Sequence, residues 1–368
     1  MRNLLFIFFL FGCFQVSAQY FQTKAVKEDL TFLTESIEKY NPALFVYHPE
    51  FKDLSAKCIE SDADDSISPF EYFTKVSKIC ALANEGHFSM GDWNDTIHKG
   101  FGSDKYAWLP LGVKLLSGKL YVMLDYSNEN LLEKGDIIVS INGIETEEIL
   151  NRLIEFTPSD GHIETYAKRI IEEGFAWRYF LYVEQADTFE LEVIDQNKQK
   201  KNVKVSAIIR SKQGENYKKY YAKTDQKDAA EEDEFYSLKY DENFAVLRLP
   251  SFDYRRVNKY KVKSRKLYKS IFKELKNRGV EHLIIDLRDN TGGRNEFADD
   301  MIPFIMKQSN EDPYIKKTIS WEGKERLYKL KNASKHAFEG EIYVLVNGKT
   351  YSAGSSLARF FKEYGNAT

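Results

Sequence analysis

The run from His282 to Asp300, HLIIDLRDNTGGRNEFADD, constrains the fold of this chain more than any other segment. Leu283–Ile285 is a short apolar run of the kind that forms a fully buried strand, and Gly292 and Gly293 allow the backbone after it to turn sharply. A helix beginning near Asn295 would aim unpaired backbone N–H groups and its positive dipole end at the same point. The segment favours an α/β domain with a turn that could hold an oxyanion, although many α/β domains carry such a turn without a site.

A second apolar strand followed by a turn and a helix lies downstream. Ile342–Val346 reads as the strand, and the turn from Asn347 to Ser356 carries three serines, Ser352, Ser355 and Ser356. A strand-to-helix junction is where a nucleophilic hydroxyl is raised out of a sheet. The two segments together predict a nucleophile facing an oxyanion site.

The two segments together resemble a known family. The phrase DLRDNTGG at Asp286–Gly293, followed by VLVNGKTYSAGSSLA at Val344–Ala358, resembles the carboxy-terminal processing serine proteases and the tricorn-core proteases. The resemblance implies a crotonase/ClpP-like α/β catalytic core, in which the first phrase supplies an oxyanion-hole glycine and the second the nucleophilic serine. FAVLRLPSFD at Phe244–Asp253 resembles the first strand of that core.

The resemblance assigns roles to individual residues. Laid over the family's strand and turn without a gap, the nucleophile position falls on Ser352, and amides near Gly292, Gly293 and Ala353 would hold the oxyanion. The acidic residue that often follows the nucleophile by three positions is replaced by Ser355, which is the second candidate nucleophile if the turn is shifted.

The general base is expected to be a histidine, because a serine hydroxyl holds its proton too tightly at neutral pH. NEGHFS at Asn84–Ser89 resembles the family's acidic-Gly-His element, which makes His87 the candidate, and the other histidines are expected to have no catalytic duty. If His87 is idle, the base would be the family's lysine. Family members continue past Thr368 with a strand and a catalytic lysine or glutamate, so the core is expected to lack its C-terminal part.

One pair of charges beside the turn is expected to be structural. Asp286 and Arg288 stand at the end of the predicted buried strand, where each charge would be costly without a partner. They are interpreted as an ion pair that shapes the turn.

The middle of the chain resembles a PDZ domain. GDIIVSING at Gly135–Gly143 resembles its strand and turn, other short strands surround it, and a helical insertion lies over residues 165–183. The resemblance implies a PDZ-like α+β module over 101–208 that binds an extended peptide through a loop at Leu111, Gly112 and Val113. The alternative is a degenerate module that packs on the core and binds nothing.

The N-terminus reads as a secretory signal over residues 1–18. Arg2 precedes the apolar run Leu4–Phe14, which is too short to span a bilayer, and Val16-Ser17-Ala18 resembles a cleavage site. A lipoprotein modified at Cys13 is the less favoured alternative. Both readings place the protein in the periplasm or outside the cell.

The remaining chain divides into further predicted domains. A helical domain with amphipathic helices spans 19–100, a charged linker spans 209–234 and the protease core spans 235–368. Cys58 and Cys80 could pair in an oxidising space, but two cysteines in a chain with this much core are more often small buried hydrophobes.

Composition excludes several other functions. The chain has 368 residues, 43% hydrophobic and 30% charged, with a formal net charge of -3 from interspersed acidic and basic residues. Such a charge balance does not predict a basic surface that would bind nucleic acid or a membrane. No apolar segment is long enough for a transmembrane helix. No histidine or cysteine pair has ligand spacing and no phosphate-loop or dinucleotide motif is found, so neither metal nor cofactor is expected.

The leading hypothesis is an exported serine endopeptidase that cleaves unfolded or C-terminally exposed polypeptides. The main alternative is a secreted peptide- or ligand-binding relative that has lost activity, and a weaker one is a small-ester hydrolase using the same site. Substrate sequence preference and oligomeric state are not set by these patterns.

Overall fold

The computed structural model describes residues 20–41, 44–60, 65–88, 104–221, 234–306, 315–320, 322–329, 332–365 and 367–368. The predicted signal peptide and Cys13 lie outside the described residues. Within them, no helix combines the length and the apolar character that crossing a membrane requires.

The N-terminal region is helical, as predicted. Its elements are β1 (Phe21–Gln22), α1 (Thr23–Tyr40), α2 (Leu44–Tyr47), α3 (Phe51–Glu60), β2 (Ser66–Ile67) and α4 (Pro69–Leu82). Helix α1 buries Val26, Leu30 and Ile37 at helical spacing. Helix α4 begins with a capping box, in which Ser68 and Glu71 each satisfy the other's backbone N–H. It ends shortly before the Glu-Gly-His element.

The middle domain is an antiparallel sheet with helices. Its elements are β3 (Ala107–Trp108), β4 (Leu111–Leu116), β5 (Lys119–Asp125), β6 (Ile137–Ile141), β7 (Ile144–Glu145), α5 (Thr146–Ile154), α6 (Glu164–Glu173), α7 (Phe175–Tyr182), β8 (Thr188–Ile194), β9 (Lys200–Ser206) and β10 (Ile208–Ile209). The sheet has the order β4-β5-β6-β8-β9, with β7 paired to β6. Strand β4 therefore lies at an edge, and the predicted helical insertion forms α6 and α7.

The predicted linker over 209–234 is wrong in its first half. Helix α8 (Arg210–Tyr220) packs on the middle domain, where the Asn216 amide donates to the carbonyl of Tyr126 at 2.7 Å. The Tyr221 hydroxyl donates to the carbonyl of Asp125 at 3.2 Å and accepts from its N–H at 2.9 Å. A polar, tyrosine-bearing composition looked like a loop because these side chains bury their polar tips against backbone groups. Residues 222–233 lie outside the described part.

The C-terminal domain is α/β. It contains β11 (Ser237–Asp241), β12 (Phe244–Arg248), α9 (Tyr254–Tyr260), α10 (Ser264–Asn277), β13 (His282–Asp286), α11 (Glu296–Asp299), α12 (Ile302–Ile305), β14 (Lys317–Ile319), β15 (Glu325–Leu327), β16 (Glu341–Leu345) and α13 (Ala353–Gly365). The main sheet has the order β11-β12-β13-β16. Strands β12, β13 and β16 run parallel, whereas β11 is antiparallel to β12. The α/β prediction is confirmed, but Phe244–Asp253 supplies the second strand of the sheet and not the first.

The helix predicted to begin near Asn295 is present, and it is a single turn. Helix α11 ends at Asp299, and Pro303 lies where a longer helix would need an N–H to bond the Asp299 carbonyl. A single turn gives only a weak dipole, so the longer helix α13 is the one whose N-terminus can act at the site.

The buried apolar residues that the structure describes form three clusters. One lies in the N-terminal helices, one in the middle domain and one in the C-terminal domain. In the C-terminal cluster, Leu283 and Ile285 of β13 are fully buried beneath α10 and α13, as their apolar run predicts. The last described residue, Thr368, pairs with the outer edge of β16 through hydrogen bonds to Ile342 and Val344.

Candidate active site

Two loops meet at the carboxyl ends of β13 and β16. Because these strands are parallel neighbours in register, with Asp286 opposite Leu345, the loops after them leave the sheet side by side. The Asn347 side chain accepts from the N–H of Asp289 and donates to its carboxylate, both at 3.0 Å. The Tyr351 N–H donates to the Asn290 carbonyl at 2.9 Å. The glycine loop and the serine turn are therefore held together by backbone and side-chain hydrogen bonds.

The paired glycines bring the glycine loop into direct contact with its neighbours. Gly292 has φ +89° and Gly293 has φ +130°, a region that other residues rarely adopt. A Cβ at Gly292 would lie 2.7 Å from the Ala353 nitrogen and 2.8 Å from the Ser352 Cβ. A Cβ at Gly293 would lie 2.1 Å from the Phe252 carbonyl oxygen. No side chain larger than hydrogen fits at either position without moving the serine turn or the loop after β12.

Ser352 immediately precedes α13. Its φ of +51° is a strained value for a residue with a side chain, and such strain is often found where a nucleophile is presented. Its hydroxyl oxygen lies 3.3 Å from the Nε2 atom of His87. The two predicted catalytic residues are thus within hydrogen-bond reach, although 265 positions separate them in the sequence.

His87 is held by an acidic neighbour. The Glu85 carboxylate lies 2.8 Å from the Nδ1 atom of His87 and also accepts the His87 backbone N–H at 3.1 Å. A carboxylate can only accept at neutral pH, so this contact places the imidazole proton on Nδ1. Nε2 is then left with a lone pair facing the Ser352 hydroxyl, as a general base requires.

The same contact shifts two pKa values in opposite directions. The hydrogen bond to Glu85 raises the pKa of His87, outweighing the partial burial that lowers it, and the charges of Glu85 and Asp160 add to the increase. The hydrogen bond from His87 lowers the pKa of Glu85. The imidazolium form that appears after proton transfer is therefore stabilised.

Two further groups surround the histidine. The Tyr351 hydroxyl lies 3.1 Å from His87 Nδ1 and donates to the Asp160 carboxylate at 3.0 Å. The same carboxylate oxygen accepts the Gly86 N–H at 2.8 Å. The Tyr166 ring stacks on Tyr351 with centroids 4.0 Å apart. Groups from all three parts of the chain thus lie beside the histidine.

Sequence reasoning did not assign these groups. Glu85 stood in the quoted Glu-Gly-His element, and its spacing from His87 was an available signal. Tyr351 stood beside the predicted nucleophile. Asp160 lies in the connection between α5 and α6, and Tyr166 lies in the first turn of α6. Nothing in the sequence there indicates that these residues are close to the site.

Two backbone N–H groups could stabilise an oxyanion. Among the described hydrogen bonds, the N–H groups of Gly293 and Ala353 have no acceptor, and Ala353 opens α13, whose dipole favours negative charge. The Gly292 N–H is already donated to the Asn290 side chain at 2.8 Å. The prediction that Gly292 is a donor is therefore corrected: its role is to allow the close approach of the two loops.

The second candidate nucleophile does not contact the base. The Ser355 hydroxyl donates to the Ser352 carbonyl at 2.8 Å, within the first turn of α13. His87 makes its described serine contact with Ser352 alone. The geometry therefore supports the first choice made from the sequence.

The predicted peptide-binding loop is wrong. Leu111, Gly112 and Val113 form the start of strand β4, and the side chains of Leu111 and Val113 are buried. Their alternating burial is that of an edge strand with one face turned inward. Further along that strand, Glu172 of α6 accepts the Leu115 N–H at 3.0 Å and pairs with Lys114 at 2.9 Å. Part of the strand edge is therefore already occupied.

Other predicted residues behave as structural groups. Arg288 holds Asp286 with two hydrogen bonds of 2.9 and 2.7 Å, which confirms the ion pair. Burial would raise the pKa of Asp286, but the hydrogen bonds and charge of Arg288 prevail and lower it. Neither Cys58 nor Cys80 is in a disulfide bond, and Cys80 is buried.

One cluster contains potential metal ligands. Ligand atoms of Glu85, His87 and Asp160 lie within 4.8 Å of one another. The hydrogen bonds that these groups make with one another, with Gly86 and with Tyr351 already account for their positions. The cluster is explained by its place around the general base.

A serine hydroxyl on a strand-to-helix turn, a histidine whose proton is placed by a carboxylate, and backbone N–H groups beside the same turn define the site of a serine hydrolase. Comparison with protein families refines this class. Residues 243–368 match the model of Peptidase family S41. The resemblance found in the sequence is confirmed: this part of the chain is similar to the serine-type peptidases of family S41.

Solved structures with the same fold cover most of the chain. A mutant of CPAF aligns with TM-score 0.64 and 12% identity, over 94% of this chain and 83% of that one. Mature CPAF aligns with TM-score 0.60 and 13% identity, over 94% and 82%. At such identities the likeness shows the fold. A search of curated proteins gave no match.

Proposed function

We propose that this protein is an exported serine endopeptidase that cleaves unfolded or C-terminally exposed polypeptides through an acyl-enzyme. The observation that carries the proposal is the 3.3 Å distance between His87 Nε2 and the Ser352 hydroxyl. The similarity to Peptidase family S41 supports a polypeptide substrate, and the geometry supports a particular nucleophile and base.

The first half of the reaction forms the acyl-enzyme. Nε2 of His87 takes the proton of the Ser352 hydroxyl as its oxygen attacks the scissile carbonyl carbon. The carbonyl oxygen becomes an oxyanion, which the N–H groups of Gly293 and Ala353 receive at the N-terminus of α13. The tetrahedral intermediate collapses as His87 returns the proton to the leaving amine, and the C–N bond breaks.

The second half releases the product. A water molecule loses a proton to Nε2 of His87 and attacks the acyl carbon, and the same N–H groups hold the second oxyanion. His87 then returns the proton to the Ser352 oxygen as the ester bond breaks. Glu85 accepts from Nδ1 throughout, so its negative charge stabilises the imidazolium in both halves.

The exposure of the site favours an extended substrate. The His87 side chain is 58% exposed, and Ser352 is partly exposed on the turn before α13. A backbone segment of an unfolded chain can lie across such an open site. The preference for C-terminal regions rests on the resemblance to carboxy-terminal processing proteases, and export rests on the signal over residues 1–18.

The test combines a covalent probe with peptide hydrolysis on the full-length protein. A fluorophosphonate should label the wild type, and Ser352→Ala should abolish both labelling and hydrolysis. Ser355→Ala is the matched control, and it should keep both activities because its hydroxyl does not contact His87. Retention of hydrolysis by Ser352→Ala would refute the assignment.

The same experiment separates the other hypotheses. A wild-type protein that binds peptides but is not labelled would be the inactive relative. A protein that is labelled and hydrolyses activated esters, yet leaves denatured polypeptides intact, would be a small-ester hydrolase. The export proposal is tested by the N-terminal residue of the mature protein, which should be Gln19.

A further inference from the structure

We infer that Asp160 is a positioning residue for this reaction: by accepting the hydroxyl hydrogen of Tyr351 it keeps that hydrogen off His87 Nδ1, and so reinforces the tautomer that Glu85 favours. The inference rests on the proposed function, because it concerns the base of that reaction. Asp160 touches neither the nucleophile nor the oxyanion donors among the described hydrogen bonds. Its effect passes through the phenol.

The hydrogen-bonding groups around His87 Nδ1 indicate how Asp160 acts on the tautomer. The Tyr351 hydroxyl has one hydrogen and lies near two acceptors, Asp160 at 3.0 Å and Nδ1 at 3.1 Å. When the hydrogen points to Asp160, the phenol oxygen can accept from an Nδ1–H group. When it points to Nδ1, that nitrogen must be unprotonated, and the imidazole proton moves to Nε2. The second arrangement removes the lone pair that receives the Ser352 proton.

The Tyr351 hydroxyl has little freedom to move away from this choice. Its ring is buried and stacked on Tyr166 at an interplanar angle of 13°. A Cβ at Gly86 would lie 2.2 Å from the Tyr351 hydroxyl oxygen, so the backbone next to His87 is packed closely against that hydroxyl. Burial, helped by the Asp160 charge, raises the pKa of Tyr351 well above its usual value, which keeps the proton on the phenol.

Asp160 is itself fixed at this position. The oxygen that accepts from Tyr351 also accepts the Gly86 N–H at 2.8 Å, and the next residue, Gly161, donates to the Asn84 carbonyl at 2.9 Å. These contacts join the loop of the middle domain to the backbone on either side of Glu85. The backbone segment that carries His87 therefore also fixes the position of Asp160, the acceptor for the Tyr351 hydroxyl.

Two substitutions separate the acceptor from the charge. Both hydrogen bonds use the same oxygen, so Asp160→Asn keeps an acceptor for Tyr351 and Asp160→Ala removes it. We expect kcat to fall by about tenfold or more in Asp160→Ala, which is part of the roughly 10²- to 10⁴-fold that a general base contributes, and by much less in Asp160→Asn. His162→Ala, an exposed change in the same loop, is the matched control and should leave kcat unchanged.

A double substitution excludes a purely structural role. Tyr351→Phe keeps the stacked ring but removes the competing donor, and Glu85 still holds the Nδ1 proton. We therefore expect Asp160→Ala with Tyr351→Phe to be more active than Asp160→Ala alone. A structural role predicts the opposite, since each change would remove a further contact. Equal or lower activity of the double variant would overturn the inference.

Nitrogen NMR of labelled histidine gives a readout independent of turnover. The imidazole of His87 should be protonated at Nδ1 in the wild type and in Asp160→Asn, and shifted toward Nε2 protonation in Asp160→Ala. An unchanged tautomer in Asp160→Ala would refute the inference even if activity falls. A wild type that shows the Nδ1–H tautomer but no fluorophosphonate labelling would instead refute the proposed function.

Discussion

Gly292→Ala tests whether the approach of the two loops positions the nucleophile. The new Cβ would lie 2.7 Å from the Ala353 nitrogen and 2.8 Å from the Ser352 Cβ. Ordinary contacts of this kind are about 3.5 Å, so the serine turn must move by roughly 0.7 Å. A shift of that size away from the glycine loop would take the Ser352 hydroxyl beyond the 3.3 Å that now separates it from His87. A misplacement of about 1 Å costs on the order of a hundredfold in rate.

Gly279→Ala is the matched control for that substitution. Gly279 also has a positive φ, +67°, but its Cβ would meet nothing within 4 Å. Both variants should lose about 1 to 2 kcal/mol of stability from backbone strain, measured as a fall of a few degrees in Tm. Only Gly292→Ala should lose kcat and the rate of fluorophosphonate labelling, by roughly 30- to 100-fold. Equal activity of the two variants would show that the close packing of the loops is irrelevant to catalysis.

Three further outcomes follow from the contacts around the site and in the helical region. Glu85 raises the pKa of His87, so the base of the wild type stays protonated to a higher pH. Glu85→Gln should therefore move the acid limb of the pH profile of kcat/KM to lower pH and should also lower the maximum of kcat/KM. An acid limb that does not move would contradict the assignment of His87 as the base. Tyr166→Leu removes the ring stacked on Tyr351, so the free energy of chemical unfolding should fall by about 0.5 to 1.5 kcal/mol and kcat should fall as well. An unaltered kcat would mean that the stack does not position the site. Burial raises the pKa of the Cys80 thiol to about 11, so a thiol reagent at pH 8 should react with Cys58 well before Cys80, and the reverse order would contradict the packing of α4.

The elements of the core were predictable because their residues carry local signals. Leu283–Ile285 and Ile342–Val346 are apolar runs bounded by turn residues, and both mark strands. The first strand is largely buried, whereas in the second only Ile342 is buried and Tyr343 and Leu345 are exposed. The double glycine predicted a close backbone approach, which the contacts of Gly292 confirm. The start of the next helix near Asn295 was also predicted correctly, and Pro303 is the reason that the helix ends after one turn.

Edge positions and loop functions were harder to read from the sequence. Leu111–Val113 was assigned to a loop through resemblance to a PDZ domain, whereas the strand's burial pattern reflects its place at the edge of the middle-domain sheet. Helix α8 was read as a linker because its polar residues gain their partners only from a distant strand end, as Asn216 does from Tyr126. Burial of polar tips against backbone groups leaves no periodic trace in the sequence.

The groups that place the His87 proton show why the rest of the site was out of reach. Ser352 and His87 could be named separately, because each stands in a recognisable phrase. Their environment depends on contacts across 74 positions between Gly86 and Asp160 and across 191 positions between Asp160 and Tyr351. Neither contact has a short-range signature, since an aspartate in a surface connection and a tyrosine beside a serine are ordinary residues. Only the docking of the N-terminal helices and the middle domain onto the core brings an acceptor to the phenol. The direction of its hydroxyl hydrogen then acts together with Glu85 to leave Nε2 of His87 free to act as a base.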